Sequence, residues 1–309
     1  MNMSTARGAF TDELLKLAKK DKSLFALATD SRGSVTLGEF AKELPEQFVE
    51  CGIAEQDAVG ISAGLANAGL RPFVCGPACF YSMRSAEQVK ADISYSHMNV
   101  KIIGVSGGVS YGALGSTHHS TQDIALMRAL PGIEVYLPSD AWQMRALTRY
   151  LAISDEPAYV RMGRGAVPEI YTESDTFTPG KAKKLLCGKD AAIIACGEMV
   201  FHALWAAEKL GQEGIDVSVY DMFTIKPFDA EAILEAASTG FVVTVEEHAR
   251  YGGLGGAVAE LLSERQPTRM KILGLPDEKV YTGKSAEVFR HYGLDAEGIA
   301  ASVKAGLKR

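Results

Sequence analysis

The sequence predicts an α/β protein built of two doubly wound, three-layer domains, and three observations lead there. Short apolar runs of strand length alternate with helical patterns from residue 8 to residue 307. That order builds a mainly parallel sheet with helices on both faces. A polar, irregular stretch, 165–181, with Pro168, Pro179 and the run Thr172-Glu173-Ser174-Asp175, interrupts the alternation. The 309 residues are 47% hydrophobic and 23% charged, a composition that supplies ample core to both sides of this linker. The expected domains are 1–165 and 180–309.

In the first domain, Phe10, Leu14, Leu15, Leu17 and Ala18 fall at helical spacing and predict a helix over 8–20. Apolar runs at Ser23–Thr29 and Phe48–Gly52 predict two strands. Glu55–Ala68 reads as a helix ended by Gly69. Strand Arg71–Gly76, helix Tyr81–His97 and strand Val100–Ser106 follow, then a glycine-rich loop, Gly107–Thr117. Helix Thr121–Ala129, strand Glu134–Leu137, helix Asp140–Ala152 and strand Ala158–Arg161 complete this half. The second half predicts strands at Ala191–Cys196, Asp216–Tyr220, Phe241–Val245 and Met270–Leu275. Its helices are Met199–Gln212, Ala230–Ala237, Leu254–Glu264 and Asp295–Leu307.

A net charge of −6 and a pI near 5.6, with Lys and Arg scattered, exclude partners that need a basic surface, nucleic acid and anionic membrane among them. The five cysteines show no paired metal spacing, the N-terminus has no apolar signal region, and no run is long enough to span a membrane. These features predict a cytoplasmic protein.

Ligands of open α/β sheets bind beyond the carboxyl ends of the strands. Asp30, Ser34, Glu55, Gly107 to His119, Arg161 and Arg164 all follow strands, and Arg7 precedes the first helix. One rim is therefore expected to gather carboxylates, two adjacent histidines and several cations.

Four ordered segments carry a resemblance. Residues 48–66, Phe-Val-Glu-Cys-Gly-Ile-Ala-Glu-Gln-Asp-Ala-Val-Gly-Ile-Ser-Ala-Gly-Leu-Ala, resemble the pyrimidine-binding domain of transketolases and deoxyxylulose-phosphate synthases. Residues 115–135, beginning Gly-Ser-Thr-His-His-Ser-Thr-Gln-Asp, are similar to the Thr-His loop of that family. Residues 157–165, Pro-Ala-Tyr-Val-Arg-Met-Gly-Arg-Gly, resemble the strand end before its interdomain linker. Residues 245–260, Val-Glu-Glu-His-Ala-Arg-Tyr-Gly-Gly-Leu-Gly-Gly-Ala-Val-Ala-Glu, resemble its C-terminal domain, which implies a mixed sheet in the second half.

The resemblance implies thiamine diphosphate chemistry. Glu55 matches the glutamate that hydrogen-bonds N1′ of the aminopyrimidine and promotes its imino tautomer; without the motif it would read as an acid at a helix N-terminus. Tyr81 and Arg84 align with the region packed on the pyrimidine, with Phe80 competing for the aromatic role. Asp30 matches an aspartate near the cofactor, and is otherwise a turn former. His118 matches the histidine that meets the substrate hydroxyls, with His119 as its neighbour. Arg7, Ser34 and Arg164 match the sugar-phosphate contacts, with Arg161 as an alternative or helper.

Departures from the family pattern carry information as well. Ser106 stands where the family has a histidine and Leu114 where it has an aspartate, so a modified, branched, deoxy or otherwise unusual ketose is expected, with Tyr111 filling vacated space. The chain has no Gly-Asp-Gly, the motif that holds Mg²⁺ and the diphosphate. No metal ligands are assigned to this chain; a separate N-terminal subunit is expected to supply that site within a heterotetramer. The glycine cluster at 252, 253, 255 and 256 reads as a loop for close packing or as an anion nest. The expected activity is ketol transfer from a phosphosugar. The alternatives are a 2-oxo acid dehydrogenase β-subunit, a deoxyxylulose-phosphate-type synthase, or a non-catalytic stabilising subunit.

Overall fold

The computed structural model describes residues 2–308. Its strands are β1 (Met3–Thr5), β2 (Leu24–Ala28), β3 (Phe48–Glu50), β4 (Arg71–Pro77), β5 (Lys101–Val105), β6 (Glu134–Tyr136) and β7 (Ala158–Met162). There follow β8 (Ala166–Pro168), β9 (Lys183–Leu186), β10 (Ala191–Ala195), β11 (Val217–Asp221), β12 (Thr224–Lys226), β13 (Phe241–Ala249) and β14 (Arg269–Leu275). All five residues of β5, β7, β10 and β11 are buried. Burial on both faces explains why these segments read as apolar runs rather than alternations.

The first sheet runs β12-β6-β7-β5-β4-β2-β3, parallel except for the edge strand β12. Helices Ala6–Ala18 and Ala141–Ile153 cover one face through Phe10, Leu14, Met144 and Leu151. Helices Glu55–Asn67 and Asp123–Ala129 cover the other through Val59, Ile124 and Met127. The second sheet runs β14-β13-β10-β11-β9 and is mixed, because β9 lies antiparallel to β11. Among the described residues no helix is long and apolar enough to cross a membrane.

The two halves interlock. Strand β12 comes from the second half of the chain yet pairs with β6 of the first sheet, Thr224 opposite Tyr136. One core cluster joins Leu27, Val74 and Ile102 of the first sheet to Ile194, Tyr220 and Val242 of the second. The expected linker is also more ordered than its composition suggests. Asp140 Oδ2 accepts the backbone N–H groups of Ile170 and Tyr171, each at 2.8 Å. The Tyr171 hydroxyl donates to buried Asp221 at 2.7 Å.

Several elements escape the sequence reading: β1, β8, β9, β12, and helices Gly38–Glu43 and Ser285–Tyr292. Most are too short to show a period. The helix expected over Tyr81–His97 is built of wide π-type turns, Phe80–Arg84 and Val89–Tyr95, around Ala86–Gln88. Such turns re-aim side chains and recur at functional sites.

Candidate active site

The small ribbon β1–β8 shows how distant sequence segments meet. Its antiparallel register sets Thr5 opposite Ala166, so Arg7, just after β1, faces Arg164, just before β8. Burial is the main influence holding the Arg7 guanidinium below its usual pKa, with the charge of Arg164 second. Buried Arg7 Nε and Arg164 Nη1 have no hydrogen-bond partner among the described residues. Two such donors, close together and unsatisfied, suit an anion. They border a cavity of about 630 Å³ that Ser110, Phe201, His202 and Trp205 also line.

From these arginines a row of contacts leads across the rim. Arg7 Nη1 donates to the Ser34 carbonyl at 2.9 Å, and the Tyr111 hydroxyl reaches Ser34 Oγ at 3.4 Å. The Arg164 guanidinium sits over the Tyr111 ring, 4.9 Å from its centroid. Tyr111 meets His118 edge to face at 5.2 Å, and His118 meets Phe80 in the same way at 5.4 Å. Arg84 lies over the Phe80 ring at 4.3 Å and forms an ion pair with Glu55 Oε2 at 2.7 Å. Glu55 is 2% exposed and opens the helix Glu55–Asn67, where the helix dipole favours an anion. A carboxylate with one counter-ion thus stands at one end, a pair of guanidinium groups at the other, and an imidazole between.

Six of the eight expected site residues, Glu55, Arg84, His118, Ser34, Arg7 and Arg164, fall on this row. Tyr81 does not. It is fully buried among Leu27, Val59 and Val74, with its hydroxyl 3.4 Å from Thr29 Oγ1, and burial pushes its pKa up. Phe80, half-buried, presents the aromatic face instead. Asp30 lies off the row, exposed at the end of β2 with φ +52°, and its N–H donates to Glu50 Oε1 at 2.7 Å. His119 turns inward, Nε2 3.2 Å from the Gly112 carbonyl, and burial lowers its pKa.

Arg161, the alternative or helper to these arginines, is held inside the protein by carboxylates. It is 5% exposed, with Nε 3.1 Å from Asp123 Oδ2 and Nη2 donating to the Glu247 carbonyl at 2.6 Å. Glu247 Oε1 in turn accepts the N–H of Val109 at 2.7 Å. The second half of the chain therefore grips the Gly107–Thr117 loop. Ser285 Oγ adds a bond to the Val109 carbonyl at 3.3 Å. Sequence reading missed this role for Glu247; the adjacent acids Glu246 and Glu247 near the end of β13 were the signal.

Family models agree with the geometry. "Transketolase, pyrimidine binding domain" matches residues 2–169 and "Transketolase, C-terminal domain" matches residues 180–299. The chain belongs to the transketolase family. It is 58% identical to an apulose-4-phosphate transketolase subunit of Phocaeicola vulgatus, over 100% of this chain and 99% of that one. A 6-deoxy-6-sulfo-D-fructose transketolase subunit of a Clostridium species is 38% identical, over 95% and 91%. A solved structure described as a split gene transketolase, inactive beta4 tetramer, superposes with a TM-score of 0.91 at 38% identity, covering 98% of both chains. Transketolase from Campylobacter jejuni shares the fold, with a TM-score of 0.84 at 18% identity over 98% of this chain and 47% of that one. The chain is one subunit of a split transferase of this family.

Members of the family use thiamine diphosphate, and the residues present fit its aminopyrimidine end. Among the described residues only Arg84 bonds the Glu55 carboxylate, leaving Oε1 available. The Phe80 ring stands beside it through Arg84. For a hard cation the described residues offer no convergent group of three or more His, Cys, Asp or Glu.

Proposed function

We propose that this chain is the C-terminal subunit of a two-chain transketolase that transfers a two-carbon ketol unit from a ketose phosphate to an aldose acceptor, with apulose 4-phosphate as donor. The row from Glu55 to Arg7 and Arg164 carries the reading. It offers a buried carboxylate, a histidine and an anion pocket in the order a ketose phosphate would need them. The 58% identity to a subunit of an apulose-4-phosphate transketolase supports the donor.

Thiamine diphosphate, when bound, supplies the electron sink for the cleaved ketose. Glu55 would hold a proton against N1′ of the aminopyrimidine from a nearly dry position, where a charge-assisted bond is strong. Phe80 would back the ring. His118 would exchange protons with the sugar at the hydroxyl beside the breaking bond. Its Nδ1 lies 2.9 Å from Thr117 Oγ1, which leaves Nε2 for the substrate. Arg7, Arg164 and Ser34 would hold the phosphate and fix the carbonyl end against the cofactor, and Asp30 would border the cofactor end of the rim.

The diphosphate and Mg²⁺ belong in this reading to a separate N-terminal subunit, with two copies of each chain in a cytoplasmic heterotetramer. The missing Gly-Asp-Gly supports that division. The test is ketol transfer with thiamine diphosphate and Mg²⁺, from apulose 4-phosphate and from xylulose 5-phosphate, by this chain with and without its candidate partner. Transfer from apulose 4-phosphate in the mixture alone is expected. Full activity of this chain by itself would sink the two-chain reading. A cofactor-loaded complex inert toward both sugars would sink the proposed donor.

A further inference from the structure

The loop positions where the family places polar substrate contacts make none here. Ser106 is 1% exposed, held at φ +61°, and its Oγ is buried without a partner among the described residues. It points into the protein and cannot reach a sugar. Leu114 is 54% exposed and its side chain has no polar atom to offer. Tyr111 is the loop side chain that joins the middle of the site to its anion end: His118 edge to face at 5.2 Å, Arg164 over its ring at 4.9 Å, and Ser34 Oγ at 3.4 Å.

We propose that Tyr111 sets the length of the ketose phosphate this site accepts, favouring a donor phosphorylated on carbon 4 over one phosphorylated on carbon 5. The inference rests on the ketol-transfer reading above. The ring of Tyr111 draws Arg164 and Ser34 around itself, so the anion pocket begins one aromatic ring away from the imidazole. A phosphate one carbon further from the carbonyl needs up to about 1.5 Å more room, one carbon–carbon bond. The ring must yield to provide it.

Its backbone resists. Gly108 and Ser120 exchange N–H bonds at 2.9 and 2.7 Å, and Val109 is tied to Glu247 at 2.7 Å. Gly112, at φ +36°, lies against the Gly283 carbonyl, where a Cβ would come within 2.5 Å. The loop is therefore fixed on both sides of Tyr111, and the side chain cannot retreat by moving its own main chain. The selectivity expected from a difference of one carbon in such a pocket is about 10- to 200-fold.

The test uses the reconstituted two-chain enzyme, wild type, Tyr111→Val and Tyr111→Phe, and measures kcat and KM for apulose 4-phosphate and xylulose 5-phosphate. Wild type should favour the 4-phosphate. Tyr111→Val should lower that preference at least tenfold, mainly through KM, by improving the 5-phosphate. Tyr111→Phe keeps the ring and should hold the preference within about threefold of wild type. Parallel losses on both sugars in Tyr111→Val, with the ratio unchanged, would overturn the inference and leave Tyr111 as loop packing. A wild-type preference for xylulose 5-phosphate would overturn it while sparing ketol transfer. Should the wild-type complex turn over neither sugar, the proposed donor fails. The Tyr111 claim is then read from calorimetric affinities of the two sugar phosphates for the same three complexes, and an unchanged ratio overturns it.

Discussion

Two glycine-rich loops follow strands in this chain, and they do opposite things. The loop over 107–117 leaves polar groups open: beside it Arg7 Nε and Arg164 Nη1 are buried and unpartnered among the described residues. The loop over 252–256 closes on itself. Glu246 accepts the N–H of Leu254 at 2.7 Å and of Gly255 at 2.8 Å, so the chain's own carboxylate fills the helix N-terminus where an external anion would sit. A glycine cluster before a helix is thus no guide to a ligand. The fate of the donors around it is. The second loop and the strand before it are also held by the helix Asp123–Ala129. Ala125 N donates to His248 Nε2 at 3.3 Å, and Arg128 Nη1 donates to the Gly252 carbonyl at 3.0 Å.

The widest separation between the loops should come from removing one charge at each. Arg164→Ala deletes a charge-assisted phosphate contact, and KM for the sugar phosphate should rise about 10- to 100-fold with the melting temperature unchanged. Glu246→Ala strands two buried N–H groups and should cost about 3 kcal/mol in urea unfolding, with KM unmoved. Equal effects of both variants on KM would erase the distinction.

A matched pair of alanines sharpens it. In Gly112→Ala the new Cβ meets the Gly283 carbonyl at 2.5 Å on a backbone with φ +36°. The displaced loop should lose about tenfold in kcat/KM. In Gly255→Ala the Cβ meets Ile272 Cγ2 at 2.5 Å inside the second domain. Overpacking there should lower stability by about 2 kcal/mol while the folded enzyme keeps its rate.

The smallest effect is a pH slope. Burial, partly offset by His248 and the two backbone N–H groups, holds the Glu246 carboxyl above its ordinary value of 4.5. The folded protein therefore binds this proton more tightly than the unfolded chain. Its contribution is fully present below about pH 4.5 and is lost as pH rises through the folded value. Glu246→Gln should flatten that part of the stability profile relative to wild type, measured by urea unfolding from pH 4 upward. An identical slope in both proteins would remove Glu246 as its source.

Much of this architecture was legible because long apolar runs and helical periods survive in one dimension. Met199–Gln212 and Ala230–Ala237 are observed at the bounds their patterns predict. What escaped is contact made by short pieces. The three residues of β1 and of β8 carry no period, yet their pairing is what sets Arg7 against Arg164. Likewise β12 joins the first sheet across the linker, which no local pattern encodes. At the site, residue types were readable but their direction was not. Adjacent residues in a π-type turn point to different faces, so Phe80 takes the rim while Tyr81 enters the core. The same limit applies to Arg161 and Arg164, three residues apart: one is buried between the carboxylates of Asp123 and Glu247, the other is half-buried and borders the cavity beside Arg7.

The central claim is that this chain supplies the catalytic carboxylate of a split enzyme. It is tested most directly by comparing wild type and Glu55→Gln in the reconstituted two-chain complex, with assembly checked by sedimentation. The account predicts an intact complex whose ketol-transfer turnover falls at least 100-fold, since a neutral amide cannot replace the charged partner at N1′. An intact complex with undiminished turnover would contradict it and leave this chain a stabilising subunit.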